Sequence, residues 1–218
     1  MSKPNHSAPV RAYGGVSAAE RTSERRRKLL DAGLELIGTA GYRATTVRGL
    51  CRLAGLNDRY FYALFEDMEA LLCAVYQTQL EALTHELLAA IPHFPQGLSL
   101  RLKAGLQLFF NQMRDERIAR VTLTEVLGVS PKVDAIYNTN TRQFSALLVG
   151  LLKTELPALK LAPDVESSVC IGLVGVCVML ATQWMLDGYR TPQAAVIESC
   201  ALIFLGTLRE LEATATPA

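Results

Sequence analysis

Apolar residues recur every three or four positions along most of this chain, a spacing that predicts helices rather than strands. The densest signal runs from Thr45 to Phe65, TTVRGLCRLAGLNDRYFYALF. Val47, Leu50, Ala54, Leu56, Phe61 and Leu64 form two short stripes there. They predict one helix over about Val47–Ala54 and a second over about Asn57–Phe65, joined at Gly55-Leu56. Gly55 stands where the chain must stop and turn, a place that favours a residue tolerant of positive φ. Thr45 or Thr46 can cap the first helix and Asn57 the second, each oxygen accepting an otherwise unpaired amide. Cys51 is small where the two helices approach. The opposite face carries Arg48, Arg52, Asn57, Asp58, Arg59, Tyr60 and Tyr62.

Ahead of this pair, Ser17-Ala18-Ala19-Glu20 is a capping-box pattern, and it opens a helix expected over about Ala18–Ala40. Arg21, Arg25, Arg26, Arg27 and Lys28 make its first half basic. Leu29, Leu30, Gly33, Leu34, Leu36, Ile37 and Ala40 give its second half a packing face. After the pair, Asp67 can cap a long helix over about Met68–Ala90, which Pro92 closes. A loop of helix breakers follows at 92–97, then helices at about 98–114, 116–128, 132–156, 164–187 and 192–213. No run alternates like a strand, so the chain is expected to be all-α, with about nine helices.

The stretch from Val169 to Leu186 approaches the length of a membrane span. It holds Thr182 and Gln183, is flanked by Glu166 and Asp187, and lacks a basic cluster at either end. A helix apolar around most of its surface can also be buried on two sides, by its own core and by a partner subunit. That reading makes the last two helices a dimer face, with Leu173, Val176 and Leu180 on one and Ala201, Phe204, Leu205 and Leu208 on the other. Two such helices from each of two chains make a four-helix bundle.

Composition adds an asymmetry. The net charge is +1, yet residues 1–60 hold eleven Lys/Arg against five Asp/Glu, and the remainder holds eleven against sixteen. A basic head on an acidic body suggests that only the head meets a polyanion. The first sixteen residues, rich in Pro, Gly and polar side chains, read as an arm carrying Lys3, Arg11 and Tyr13. Such an arm either reaches into a minor groove or is a tail without a role. The five cysteines, Cys51, Cys73, Cys170, Cys177 and Cys200, are odd in number and form no CxxC, which fits reduced core thiols in a cytoplasmic protein. Cys170 and Cys177, seven apart, either share a packed helix face or form a redox pair. The three histidines show no metal-ligand spacing, and no cofactor is expected. No nucleotide-binding glycine loop, nucleophile elbow or base–nucleophile pair invites an enzymatic reading.

Two short helices with a basic outer face are either a solvated αα-corner or a helix-turn-helix whose second helix enters the DNA major groove. The stretch Ser23–Tyr76 resembles the TetR family of transcriptional regulators. The resemblance rests on the basic first helix, Gly41-Tyr42-Arg43-Ala44-Thr45-Thr46-Val47, Ala54-Gly55-Leu56, Tyr60-Phe61-Tyr62 with Phe65, and Glu69-Ala70-Leu71-Leu72. It implies a helix-turn-helix head over 17–66, an effector-binding and dimerisation domain over 67–213, and a tail at 214–218. It further implies a homodimer on a palindromic operator, usually a repressor, controlled by a small molecule in the body. By position it matches Arg48 to a base contact and Thr45, Thr46, Asn57 and Tyr62 to phosphate or groove contacts, and it puts Arg59, Tyr60 and Ala63 on the reading helix; Asp58 on the same outer face and Arg43, as a backbone contact, complete the expected set. Arg48 and Arg59 can each pair with guanine through two hydrogen bonds. Tyr62 either reaches DNA or packs in the core. One departure stands out: Met68 occupies a place where members often carry a lysine near the DNA backbone. An activator or a nucleoid-type binder without a ligand shares these features, and a membrane-associated helical protein shares the 169–186 stretch. For an apolar or amphipathic effector, the body offers Phe110, Met113, Arg117, Glu125, Tyr137 and Trp184 as contacts. Glu125 is singled out because a carboxylate in an apolar run needs a partner.

Overall fold

The structure is a computed structural model and describes residues 17–215. The expected arm at 1–16, with Lys3, Arg11 and Tyr13, and residues 216–218 lie outside the described residues. Among the described residues every regular element is helical. They are α1 (Ala18–Ala40), α2 (Val47–Ala54), α3 (Asp58–Tyr62), α4 (Met68–Ala90), α5 (Leu98–Gln112), α6 (Glu116–Arg120), α7 (Pro131–Glu155), α8 (Pro163–Leu186) and α9 (Gln193–Ala215).

Local chemistry explains the starts. The Ser17 hydroxyl accepts from the Glu20 amide, while the Glu20 carboxylate accepts from the Ser17 amide. Thr46, Asn57 and Asp67 accept from the amides of Gly49, Tyr60 and Ala70 and so cap α2, α3 and α4. Gly55 has φ 65°, the left-handed geometry that a side chain resists, and it turns α2 into α3. α3 is shorter than expected: it ends at Tyr62 rather than Phe65, and Ala63 to Phe65 form the turn into α4.

The head has a closed core. Leu29 and Ile37 of α1, Leu50 of α2, Phe61 of α3 and Leu71, Leu72 and Val75 of α4 are fully buried. Met68 lies half-buried against this core, an apolar contact at the start of α4. The core does not stop at the head: Val121, Val126 and Val133 of the body belong to it. A second core joins Leu106, Phe110 and Met113 to Ala119, Leu123, Leu173, Trp184, Cys200 and Phe204.

α6 therefore lies between two cores. It continues into a turn of π-helix, Val121–Glu125, in place of the single helix expected over 116–128. The hydroxyls of Thr122 and Thr124 donate to the carbonyls of Ile118 and Arg120, four residues back. Back-bonding of this kind bends and loosens helices.

The expected dimer stripe is corrected by the packing. Leu173, Ala201, Phe204 and Leu208 are buried inside their own chain, and Val176, Leu180 and Leu205 are half-buried. The outward positions are Ile171, Gly172, Gly175, Met179 and Leu186 on α8, with Leu202, Ile203 and Gly206 on α9. α8 is apolar nearly all round, so its sequence period carries no phase. It is also long and apolar enough to cross a membrane, yet it packs against α7 and α9.

Candidate functional site

The outer surface of α2 and α3 presents Arg48, Arg52, Asn57, Asp58, Arg59, Tyr62 and Ala63 to solvent, beside Arg43 and Thr46. Among the described residues, no ion pair involves Arg43, Arg48, Arg52 or Arg59. Guanidiniums left unpaired on one face are available to phosphates and base edges. Tyr62 is 62% exposed, with its ring edge-on to Phe61, so it is a surface residue rather than a core one. Thr45 requires a correction. It is 9% exposed, and its hydroxyl donates to the Gly41 carbonyl at 2.8 Å, so its hydrogen bond is made inside the head rather than offered to DNA.

Tyr60 is half-buried beneath the basic half of α1. The Arg25 guanidinium lies 4.2 Å from its ring centroid, and Arg26 lies 5.6 Å from that of Phe65. These cation–π contacts tie the basic helix to the exposed α3. Nothing in the sequence spacing announces them, because the partners stand 35 and 39 positions apart. Arg27 and Lys28 pair with Asp31 and Glu24 along their own helix.

Where head meets body, α6 and the π-turn hold the end of α1. Arg117 donates to Glu35 at 2.8 Å and to Asp115 at 2.6 Å. Arg120 donates to the Thr39 carbonyl at 2.7 Å, and so meets the negative end of the helix dipole. The Glu125 carboxylate accepts from the Tyr42 amide at 2.8 Å and lies 3.5 Å from Arg120. Gly38 allows the close approach: a β-carbon there would stand 2.5 Å from Arg117 Cβ. The Arg117 hydrogen bonds hold the Asp115 carboxyl below its usual range and push the guanidinium up.

These contacts correct the expected ligand set. Arg117 and Glu125 do not line the body cavity; their partners are in the head, 82 and 83 residues earlier. Phe110 and Trp184 are absent from the lining as well. Phe110 is fully buried, edge-on to Trp184 at 5.9 Å, and the Trp184 indole donates to the Thr191 carbonyl. Met113 and Tyr137 do line the cavity.

That cavity has a volume of about 470 Å³ and lies among α4, α5, α7, α8 and the π-turn, with Phe204 of α9 at its edge. Its walls are mostly Leu, Ile, Val and Phe, including Leu83, Leu102, Phe109, Phe144, Leu147 and Val178. Polar groups are few. Tyr76 stacks on Tyr137 at 6.3 Å, and burial pushes its hydroxyl far above the usual range, so it stays neutral. Asn140, Thr141 and Thr122 add donors and acceptors, and the Arg101–Glu155 ion pair, 2.8 Å long, belongs to the same lining. Such walls suit a largely apolar ligand with a few polar anchors. Among the described residues no cluster of three His, Cys, Asp or Glu side chains could hold a metal.

An all-α chain with a basic two-helix reading face on one end and a hollow helical body on the other is a helix-turn-helix transcriptional regulator. Residues 29–75 match the family described as bacterial regulatory proteins, tetR family. The match covers the head, and it makes the chain a DNA-binding transcriptional regulator with a TetR-type head. It is similar to the HTH-type transcriptional regulator EthR of Mycolicibacterium smegmatis, 23% identical over 162 residues, 70% of this chain and 75% of that one. Its fold matches the fatty acid degradation regulator FadR of Bacillus halodurans with a TM-score of 0.74 at 19% identity, over 85% of this chain and 96% of that one. It also matches FadR of Bacillus subtilis in complex with stearoyl-CoA, TM-score 0.67 at 18% identity, over 80% and 95% of the two chains.

Proposed function

We propose that this regulator is a cytoplasmic repressor that binds a palindromic operator as a homodimer and leaves it when a long-chain apolar ligand enters the body. The observation that carries the reading is the double contact of one segment. Thr122 and Leu123 line the cavity, while Arg117, Arg120 and Glu125 beside them grip the head. A ligand that displaces the π-turn acts directly on the end of α1. Coupling of about 1–3 kcal/mol between the sites is typical of such control.

The uncovered face of α8 and α9 supports the dimer. Gly172, Gly175 and Gly206 let backbones approach, and Met179, Leu186, Leu202 and Ile203 supply apolar area. Two heads at fixed spacing read two half-sites. Arg48 and Arg59 are assigned base contacts, with Arg43, Thr46, Asn57 and Tyr62 as backbone contacts. The ligand class draws on the apolar lining and on the stearoyl-CoA bound by the B. subtilis protein.

The test is a gel shift and footprint on the DNA upstream of the protein's own gene, at two salt concentrations. A discrete palindromic footprint that Arg48→Ala abolishes and stearoyl-CoA releases is expected. Broad protection insensitive to Arg48→Ala points to a nucleoid-type binder instead. A footprint untouched by stearoyl-CoA overturns the ligand class alone.

A further inference from the structure

Cys177 of α8 and Cys200 of α9 face each other with their sulfurs 3.7 Å apart. The sequence suggested Cys170 and Cys177 as the pair to consider, seven residues apart on one helix. The fold instead brings Cys177 to a partner 23 residues away on the neighbouring helix. Cys177 lines the apolar cavity, and Cys200 is fully buried. Val174 and Val178 on α8 and Phe204 on α9 flank the pair on the cavity wall.

We infer that Cys177 and Cys200 form a reactive dithiol in the cavity wall that reduces an apolar organic hydroperoxide and closes to a disulfide. A disulfide needs sulfurs about 2.05 Å apart, so about 1.6 Å of closure is required from the 3.7 Å seen. One sulfur opens on the cavity, where an apolar hydroperoxide collects. The other waits behind it to resolve the product.

The steps balance. The pair loses one proton, leaving a thiolate that the remaining S–H holds. The S–H of Cys177 keeps the Cys200 thiol below its usual range, while that contact and burial push Cys177 up. Transfer of the remaining proton along the S···S line brings the negative charge to Cys177. Its sulfur attacks the outer oxygen of the hydroperoxide. The O–O bond breaks, the alkoxide takes up the proton first lost, and an alcohol leaves. Cys177 is now a sulfenic acid. The Cys200 sulfur attacks it, the S–O bond breaks, and hydroxide leaves as water with the Cys200 proton. Two thiols have given two electrons, and the hydroperoxide has become an alcohol and water.

This chemistry goes beyond ligand-driven release, and it is tested without DNA, so its failure leaves the operator reading untouched. The reduced, full-length protein is treated with one equivalent of cumene hydroperoxide, and thiols are counted after denaturation. The count should fall from five to three, with a Cys177–Cys200 linked peptide in the mass spectrum that dithiothreitol removes. Cys200→Ser should stop at a sulfenic acid on Cys177, trapped by dimedone, and Cys170→Ser should still lose two thiols. Cumene hydroperoxide should react at least about tenfold faster than hydrogen peroxide, because burying two methylenes' worth of apolar surface already favours it by that factor. An unchanged thiol count in the wild-type chain overturns the proposal, as does a linked peptide joining any other two cysteines. Equal rates for the two peroxides overturn the role of the cavity. The linked-peptide readout needs no variant, so a misfolded mutant does not decide the matter.

Discussion

The head packs around one closed core, whereas the body's buried core stands beside an open cavity. In the head, Leu29, Ile37, Leu50, Phe61 and Leu71 leave no exposed surface. In the body, a buried cluster around Phe110, Met113 and Cys200 borders about 470 Å³ that no side chain among the described residues fills. Side chains that face the cavity forfeit dispersion contacts on that side, whereas those of the head core do not. The difference assigns the tasks. On the proposed reading, the head holds one geometry against DNA and the cavity of the body receives the ligand.

Filling and hollowness predict opposite tolerance to truncation. Phe61→Ala empties a closed core and should cost about 3–5 kcal/mol, enough to unfold the head. Urea unfolding followed by circular dichroism, with a gel shift alongside, checks this; retained operator binding would show that the head core is not what fixes the reading face. Phe144→Ala enlarges a space that is already open. Its cost should be about 1 kcal/mol, because the ring loses contacts on one side only. Comparable costs at the two positions would mean that the cavity closes in solution.

Gly38→Ala attacks the contact between the two regions. The added carbon would meet the Arg117 backbone at 2.6 Å, so α1 and α6 must separate. Such overpacking costs about 1–3 kcal/mol, against about 1 kcal/mol gained in helix propensity. Net destabilisation is expected, together with weaker ligand-induced release at unchanged DNA affinity. Ligand release as strong as in the wild type would sink the idea that the Gly38 contact carries the signal.

The same division separates what the sequence discloses from what it hides. Caps are local, so Ser17, Thr46, Asn57 and Asp67 can be read from their neighbours, and α1, α2 and α4 fall at the expected bounds. The Arg48 face follows from a period of 3.6 residues over a short amphipathic helix. Arg117 and Glu125 face the head instead of the cavity, which spacing hides because their partners lie some 80 positions away and an unpaired charge in an apolar run looks the same whichever partner it finds. The expected stripe on α8 takes in Leu173, which the chain buries itself, because a helix apolar all round has no phase to read. The nearness of Cys200 to Cys177 is hidden for a related reason: proximity across two helices leaves no mark in spacing along one.

The smallest expected effect concerns the charges at the junction. Arg117 and its partners Glu35 and Asp115 are 43%, 45% and 32% exposed, so the network is well solvated. Arg117→Met should therefore cost only about 0.5–1 kcal/mol near neutral pH, the range of exposed pairs. Its pH dependence is the sharper test. Hydrogen bonds from Arg117 depress the Asp115 carboxyl below its ordinary value of 3.8. A depressed carboxylate contributes stability that is fully present above the ordinary value and is lost as pH falls through the depressed one. The gap between wild type and Arg117→Met should thus be constant above the carboxylate range and shrink below it. Urea unfolding at successive pH values measures the gap directly. The Phe61→Ala penalty, which involves no titrating group, should stay flat across the same range. A shrinking gap beside a flat one would separate the electrostatic junction from the apolar head core. A gap for Arg117→Met that stays constant into acid would mean that the arginine acts there through packing alone, as its long stem against Gly38 allows.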